Sequence, residues 1–287
     1  MAEADETVPE EPAAELDESR MPFREHLQEL RIRLRYAAIA LAAGFLVAFF
    51  FSQELFVILA RPLIDTWTEV AANNESLGAP TLYFNSLIEP FWVYLSVAFW
   101  GGVFLSSPFI FHQLWLFIAP GLYKRERRYG VAFAASSAIL FCGGALFCYL
   151  FVLPAAYSFF LDYSTHNLAE IQRGIGVDYS VADAISLQPL LGMESYLSFV
   201  KKLLLAFGLV FELPLLLLFL AIAGLVTHRG LWKFNRWFIV LAFAVAAMLT
   251  PGPDVISQIM MALPMILLYN ISIVLAYLVA RKRAAES

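Results

Sequence analysis

Six long apolar stretches constrain this chain more than any other feature. They lie at about 36–58, 91–118, 130–153, 195–224, 237–250 and 256–280. A helix needs about 20 apolar residues to cross a hydrocarbon core of roughly 30 Å. Lipid offers no partner to a backbone N–H or C=O, so each crossing must satisfy its own hydrogen bonds as a helix. Charged residues make up only 15% of the chain and hydrophobic ones 61%, against about 25% charged in a soluble domain. The expectation is an all-α integral membrane protein with six transmembrane helices. Their unequal lengths predict a concave, irregular bundle. The fifth span is short: 237–250 is 14 residues, roughly 21 Å of helix, which favours local thinning of the bilayer. Pro108 is expected to kink the long second span.

The net charge of -5 is misleading, because residues 1–19 hold eight acids and no base. Without those eight, the chain has 16 acids against 19 bases. Residues 1–19 read as a disordered acidic tail and lack the basic start of a secretory signal. Residues 20–283 form one six-span domain, and 284–287 a short tail. Fifteen of the 19 bases fall before span one, between spans two and three, between spans four and five, or after span six. That bias predicts both termini on the cytoplasmic side. The first two external connectors, about 60–90 and 154–194, are long enough for a structured cap. The third, around "TPGPD", is a tight turn.

Within this frame a few polar residues need a reason. Glu212 in "LVFELPLLLLFL" has no charged neighbour from Leu203 to His228. At that depth it needs a polar cavity, a partner or a proton, and intramembrane acids are functional by default. Pro214 deprives the carbonyl four residues earlier of its donor. Before span one, Phe23, Leu27, Leu30 and Leu34 share one helical face. This predicts an interfacial lead-in helix over about 20–35 that turns into the bilayer. Glu29 lies off that face, four residues before Arg33. Glu126 sits among Lys124, Arg125, Arg127 and Arg128. From the residues alone, both acids read as surface ion pairs worth about 0.3–0.5 kcal/mol. Thr250, Asp254, Ser257 and Gln258 cluster at the last external turn, where Asp254 suits a helix N-cap. Cys142 and Cys148 are six apart in an apolar stretch and read as packing residues. There is no GxxxxGK[ST], HExxH or GxSxG, and nothing calls for a metal or cofactor. The basic loops are explained by topology and need no nucleic acid.

"HLQELRIRL" (26–34), "FIAPGLYKRERR" (117–128), "SYLSFV" with "FGLVFELP" (195–214), and "LTPGPDVISQ" with "ALPMILLY" (249–269) resemble the TatC family. TatC is the core subunit of the twin-arginine protein translocase. The resemblance covers about 20–280 and implies no enzymatic activity. It implies a multi-pass protein of the cytoplasmic (inner) membrane that binds twin-arginine signal peptides of folded cargo. It also implies self-association, recruitment of the single-span partners TatA and TatB, and transport driven by the proton-motive force. By resemblance the signal-binding carboxylates are Glu29 and Glu126, with Arg31, Phe117 and Leu122 around them. Glu212 is the intramembrane polar residue. Pro62 in the first external loop, Thr250, Asp254 and Gln258 serve the external turns or a partner helix. The sequence departs from the family at Asn270, where Glu is frequent, and at Lys201 and Lys202. A proton- or ion-coupled transporter using Glu212 is the alternative reading, though no inverted repeat is evident. A passive scaffold for partner helices is a third.

Overall fold

The structure is a computed structural model that describes residues 23–72, 78–118, 130–162, 190–250 and 255–286. Among the described residues, the helices that build the six spans and their connectors include α1 Phe23–Phe50, α2 Ser52–Ala72, α3 Glu89–Ile118, α4 Gly130–Phe147, α5 Met193–Phe211, α6 Leu213–Ile222, α7 His228–Leu249 and α8 Val255–Glu286. After α4 the helix passes through a π-helical turn, Cys148–Val152, and span three runs on to Asp162. Spans one, two, five and six are α1, α3, α7 and α8, whereas α5 and α6 together make span four. With six crossings, the start of α1, the end of α3, the start of α7 and the end of α8 share one side. We call it the basic face.

Three expectations about boundaries are corrected. The lead-in helix does not turn before span one, because α1 is unbroken for 28 residues. No Gly or Pro occurs between Phe23 and Gly44 to interrupt it. Span one ends at Phe50 rather than near residue 58, and the helix α2 runs on from Ser52 into the first external connector as far as Ala72. Span five is the shortest of the six but has 22 residues, about 33 Å of helix. Its first two turns are polar yet helical. Thr227 caps them, its hydroxyl accepting from the Gly230 N–H at 3.2 Å. Just before it, Gly224, the only described residue with positive φ (76°), terminates α6. The helix is thus longer than its apolar stretch, which keeps the 14 residues on which the expectation of bilayer thinning rests.

Two glycine pairs set the packing. A Cβ on Gly102 of α3 would lie 2.6 Å from the Phe45 nitrogen of α1, and one on Gly44 would lie 2.8 Å from the Gly102 carbonyl oxygen. The backbones of spans one and two touch there. Gly144 and Gly208 do the same for α4 and α5, each facing the other helix's backbone and a phenylalanine ring. Small residues at helix crossings are how apolar spans gain contact in lipid, where no hydrophobic effect drives association. The main core, including Leu153, Val200, Phe207, Met261 and Ala246, is built by α2 and spans three to six. Outside the membrane core, the two long connectors meet in a short parallel ladder, β1 (Leu82–Tyr83) on β2 (Leu191–Gly192).

Candidate functional site

The basic face begins with Glu29. Its Oε1 accepts from the Arg33 guanidinium at 3.1 Å, the i,i+4 pair expected from spacing. The side chains are only 18% and 26% exposed for Glu29 and Arg33. The pairing is incomplete: Glu29 Oε2 and Arg33 Nε are both buried with no hydrogen-bond partner among the described residues. Most buried polar atoms are paired, so an orphaned carboxylate oxygen calls for an explanation. One turn before Glu29, the His26 ring stacks on Phe117 at 4.4 Å and 22°. Phe117 ends α3 and leads into the segment 119–129. The Gly44–Gly102 crossing and this stack together hold Glu29 beside the departure point of that segment. Arg31 is exposed on the same helix. Leu122 and Glu126 lie outside the described residues.

Deeper in the bundle, Glu212 breaks span four. Its N–H bonds to the Leu209 carbonyl at 3.1 Å, a tightened turn, and Pro214 offers no N–H to Val210. The carboxyl lies against Ser137 and the Phe141 backbone, with Oε1 buried and without a partner among the described residues. Ser137 in turn accepts from Trp115 Nε1 at 2.9 Å. Trp115, Ser137 and Glu212 thus bring one polar group each from spans two, three and four into the apolar bundle.

The outer end is tied down differently. Pro62 lies inside α2, buried, rather than in a loop. Proline has no N–H, so the Ile58 carbonyl loses its helical donor. Tyr149 of the π turn donates to that oxygen at 2.9 Å, and Tyr196 of α5 donates to the next carbonyl, Leu59, at 2.7 Å. Glu89, 7% exposed, is a second tie. Its Oε2 accepts from the Asn85 N–H at 2.7 Å and its Oε1 from the Glu194 N–H at 3.2 Å. One carboxylate thereby serves the start of its own helix and the first turn of α5, whose cap residue Gly192 has no side chain to do so. Thr250 is buried and bonds back to the Ala246 carbonyl at 3.1 Å. Gln258 is half-buried on the first turns of α8, and Asp254 lies outside the described residues.

Sequence reasoning missed Glu89, Ser137, Trp115 and Tyr149. Only Glu89 left a signal, an acid directly before Pro90 at a helix start. Partners such as Trp115 and Ser137 are separated by 22 residues and have no periodic signature. Cys142 and Cys148 are both free, with Cys142 exposed and Cys148 buried.

The family model described as Sec-independent protein translocase protein (TatC) matches residues 25–264. The chain belongs to the TatC family. A TatC of Desulforapulum autotrophicum is 40% identical over 94% of this chain and 89% of its own length. A TatC of Aquifex aeolicus is 38% identical over 92% of this chain and 98% of its own. Among solved structures, a crystal structure of the twin-arginine translocase receptor TatC in DDM superposes with a TM-score of 0.70. It shares 36% identity and covers 88% of this chain and 99% of its own. As a TatC, the chain is a multi-pass membrane component of the Sec-independent, or Tat, protein translocation system.

Proposed function

We propose that this chain is the receptor core of the translocase. It takes twin-arginine signal peptides of folded cargo at the basic face, which is the cytoplasmic side of the inner membrane. It then recruits TatA- and TatB-type single-span partners and further copies of itself for proton-motive-force-driven export. The observation that carries the reading is the half-used carboxylate of Glu29, with Oε1 on Arg33 and Oε2 buried without a partner among the described residues. A guanidinium binds a carboxylate through two parallel N–H bonds, a geometry that lysine cannot reproduce. An incoming arginine completes the set that Arg33 leaves open. The second arginine goes to Glu126 on the segment that follows Phe117, with Leu122 and Arg31 at the margin. Glu212 supplies polarity within the membrane for the peptide's continuation. Pro62, Thr250, Asp254 and Gln258 support the outer end where a partner helix docks.

The test is site-specific photo-cross-linking of a signal peptide to the purified full chain. A twin-arginine peptide should cross-link strongly to the wild type, and weakly to Glu29→Ala and Glu126→Ala. A twin-lysine peptide should cross-link weakly to all three. Equal cross-linking throughout removes this assignment.

A further inference from the structure

At the basic end of spans five and six the helices part around a groove of about 510 Å³ lined by His228, Arg229, Trp232, Lys233, Ile273, Val274 and Tyr277. The groove is rigidly framed. Just below it the Tyr269 hydroxyl donates to the Leu231 carbonyl at 2.9 Å, Phe238 stacks on Tyr269 at 3.9 Å, and Asn235 donates to Asn270 at 3.3 Å. Its charge is one-sided. From Leu213 to Pro253, and again from Val255 to Ala285, there is no Asp or Glu. Arg229 and Lys233, four apart and therefore on one face of α7, have no carboxylate partner among the described residues. Trp232 and Tyr277 are 65% and 49% exposed.

We propose that this groove is a binding site for an anionic phospholipid. Arg229 and Lys233 hold the headgroup phosphate. Trp232 and Tyr277 flank the glycerol region, the depth at which such amphipathic rings settle in membrane proteins. Ile273 and Val274, one helical turn (about 5 Å) further from the basic end, receive an acyl chain. Every lining residue falls within the two membrane-spanning helices His228–Leu249 and Gln258–Arg281. The groove wall itself is apolar, so Arg229 and Lys233 line it with their aliphatic stems and carry their charges at its edge, where the apolar surface continues into lipid. A phospholipid matches that sequence of chemistries, whereas a soluble acidic peptide or free phosphate matches only the rim. Basic pockets between spans on this side of a membrane are suited to anionic headgroups.

The experiment is native mass spectrometry of the full chain, purified in detergent and offered phosphatidylglycerol or phosphatidylcholine with the same acyl chains. The wild type is expected to retain phosphatidylglycerol preferentially. The double variant Arg229→Gln/Lys233→Gln should lose retention about 30-fold, the value for two interfacial cations. Arg236→Gln, whose guanidinium lies by the Trp237 ring at 5.8 Å, should leave retention unchanged. Val274→Trp, which fills the chain-binding part and keeps both charges, should also lower it. This variant decides the matter if the double variant fails to fold. Equal retention of the two lipids, an unaffected double variant, or an equal loss in Arg236→Gln overturns the proposal. So does full displacement of the lipid by millimolar inorganic phosphate, which would mark a free-anion site, or by an acidic peptide.

Discussion

The pairing of Pro62 with Tyr149 makes a quantitative prediction. Tyr149→Phe removes the donor that reaches the Ile58 carbonyl among the described residues, since position 62 has no N–H. An intramolecular hydrogen bond contributes about 1 kcal/mol net, and an orphaned acceptor costs about 1–3 kcal/mol. The Ile58 side of α2 is exposed, so water can reach part of the orphan and the expected loss is about 1 kcal/mol. Pro62→Ala restores an N–H four residues after Ile58. In that background Tyr149→Phe should cost only a few tenths of a kcal/mol, leaving a coupling of about 0.5–1 kcal/mol between the two sites. The assay is a double-mutant cycle on unfolding free energies of the full chain in mixed micelles. Strict additivity would refute the idea that the tyrosine substitutes for the proline's missing donor. Tyr149→Phe as costly in the alanine background as in the wild type would show that the hydroxyl acts elsewhere.

Four further outcomes follow from the same geometry. Glu29→Ala should weaken a twin-arginine peptide by tenfold or more, the scale of a charge-assisted bond. Arg33→Gln should change its Kd by no more than about threefold, the scale of an i,i+4 pair, and an equal loss in both would make Arg33 part of the receptor rather than a placeholder. Gly143 and Gly144 should respond oppositely to alanine in thermal unfolding: a Cβ at 143 meets nothing within 4 Å and removes about 0.5–1 kcal/mol of helix penalty, whereas at 144 it collides with the Phe207 carbonyl and the Phe211 ring. Gly102→Val should cost about 1–3 kcal/mol as overpacking against the Phe45 backbone, and should also reduce peptide cross-linking by separating Glu29 from Phe117. Glu89→Gln should lower stability by about 1–2 kcal/mol, because an amide oxygen can replace only one of its two acceptors, while peptide cross-linking is unchanged.

The six spans were legible because lipid imposes one solution on a long apolar run. Their ends were less so, because hydropathy marks where polarity changes and not where helices stop. Span five illustrates this. Arg229, Lys233 and Arg236 look like connector residues, yet the helix starts where Thr227 caps it. Span one illustrates the converse: after the helix has broken at Phe51, Leu55 to Ile58 are apolar again although they belong to α2. At the site, Glu29 with Arg33 was readable from spacing alone. The stack of His26 on Phe117 and the polar line from Trp115 to Glu212 were not, since these depend on glycine-controlled crossings between distant segments.

Among the described residues, the carboxylates of Glu29, Glu89 and Glu212 are held in the protein rather than in water, and their hydrogen bonding divides them. Glu89 has one oxygen on the Asn85 N–H, in the turn before α3, and the other on the Glu194 N–H in the first turn of α5. Both of its oxygens are thus engaged in the resting fold. Among the described residues, Glu29 and Glu212 each keep one buried oxygen without a partner. An orphaned acceptor costs about 1–3 kcal/mol, and of the six unpartnered buried side-chain atoms among the described residues only these two belong to carboxylates. The same expense makes sense for groups that acquire a partner during the working cycle, because desolvation completed in advance is not charged against binding. On that argument Glu89, Tyr149 and Tyr196, whose polar groups have partners, belong to the fixed frame of the outer end, although the buried Tyr157 hydroxyl beside Tyr196 has none among the described residues. On the proposed reading, the working surface runs from Glu29 at the basic face inward to Glu212.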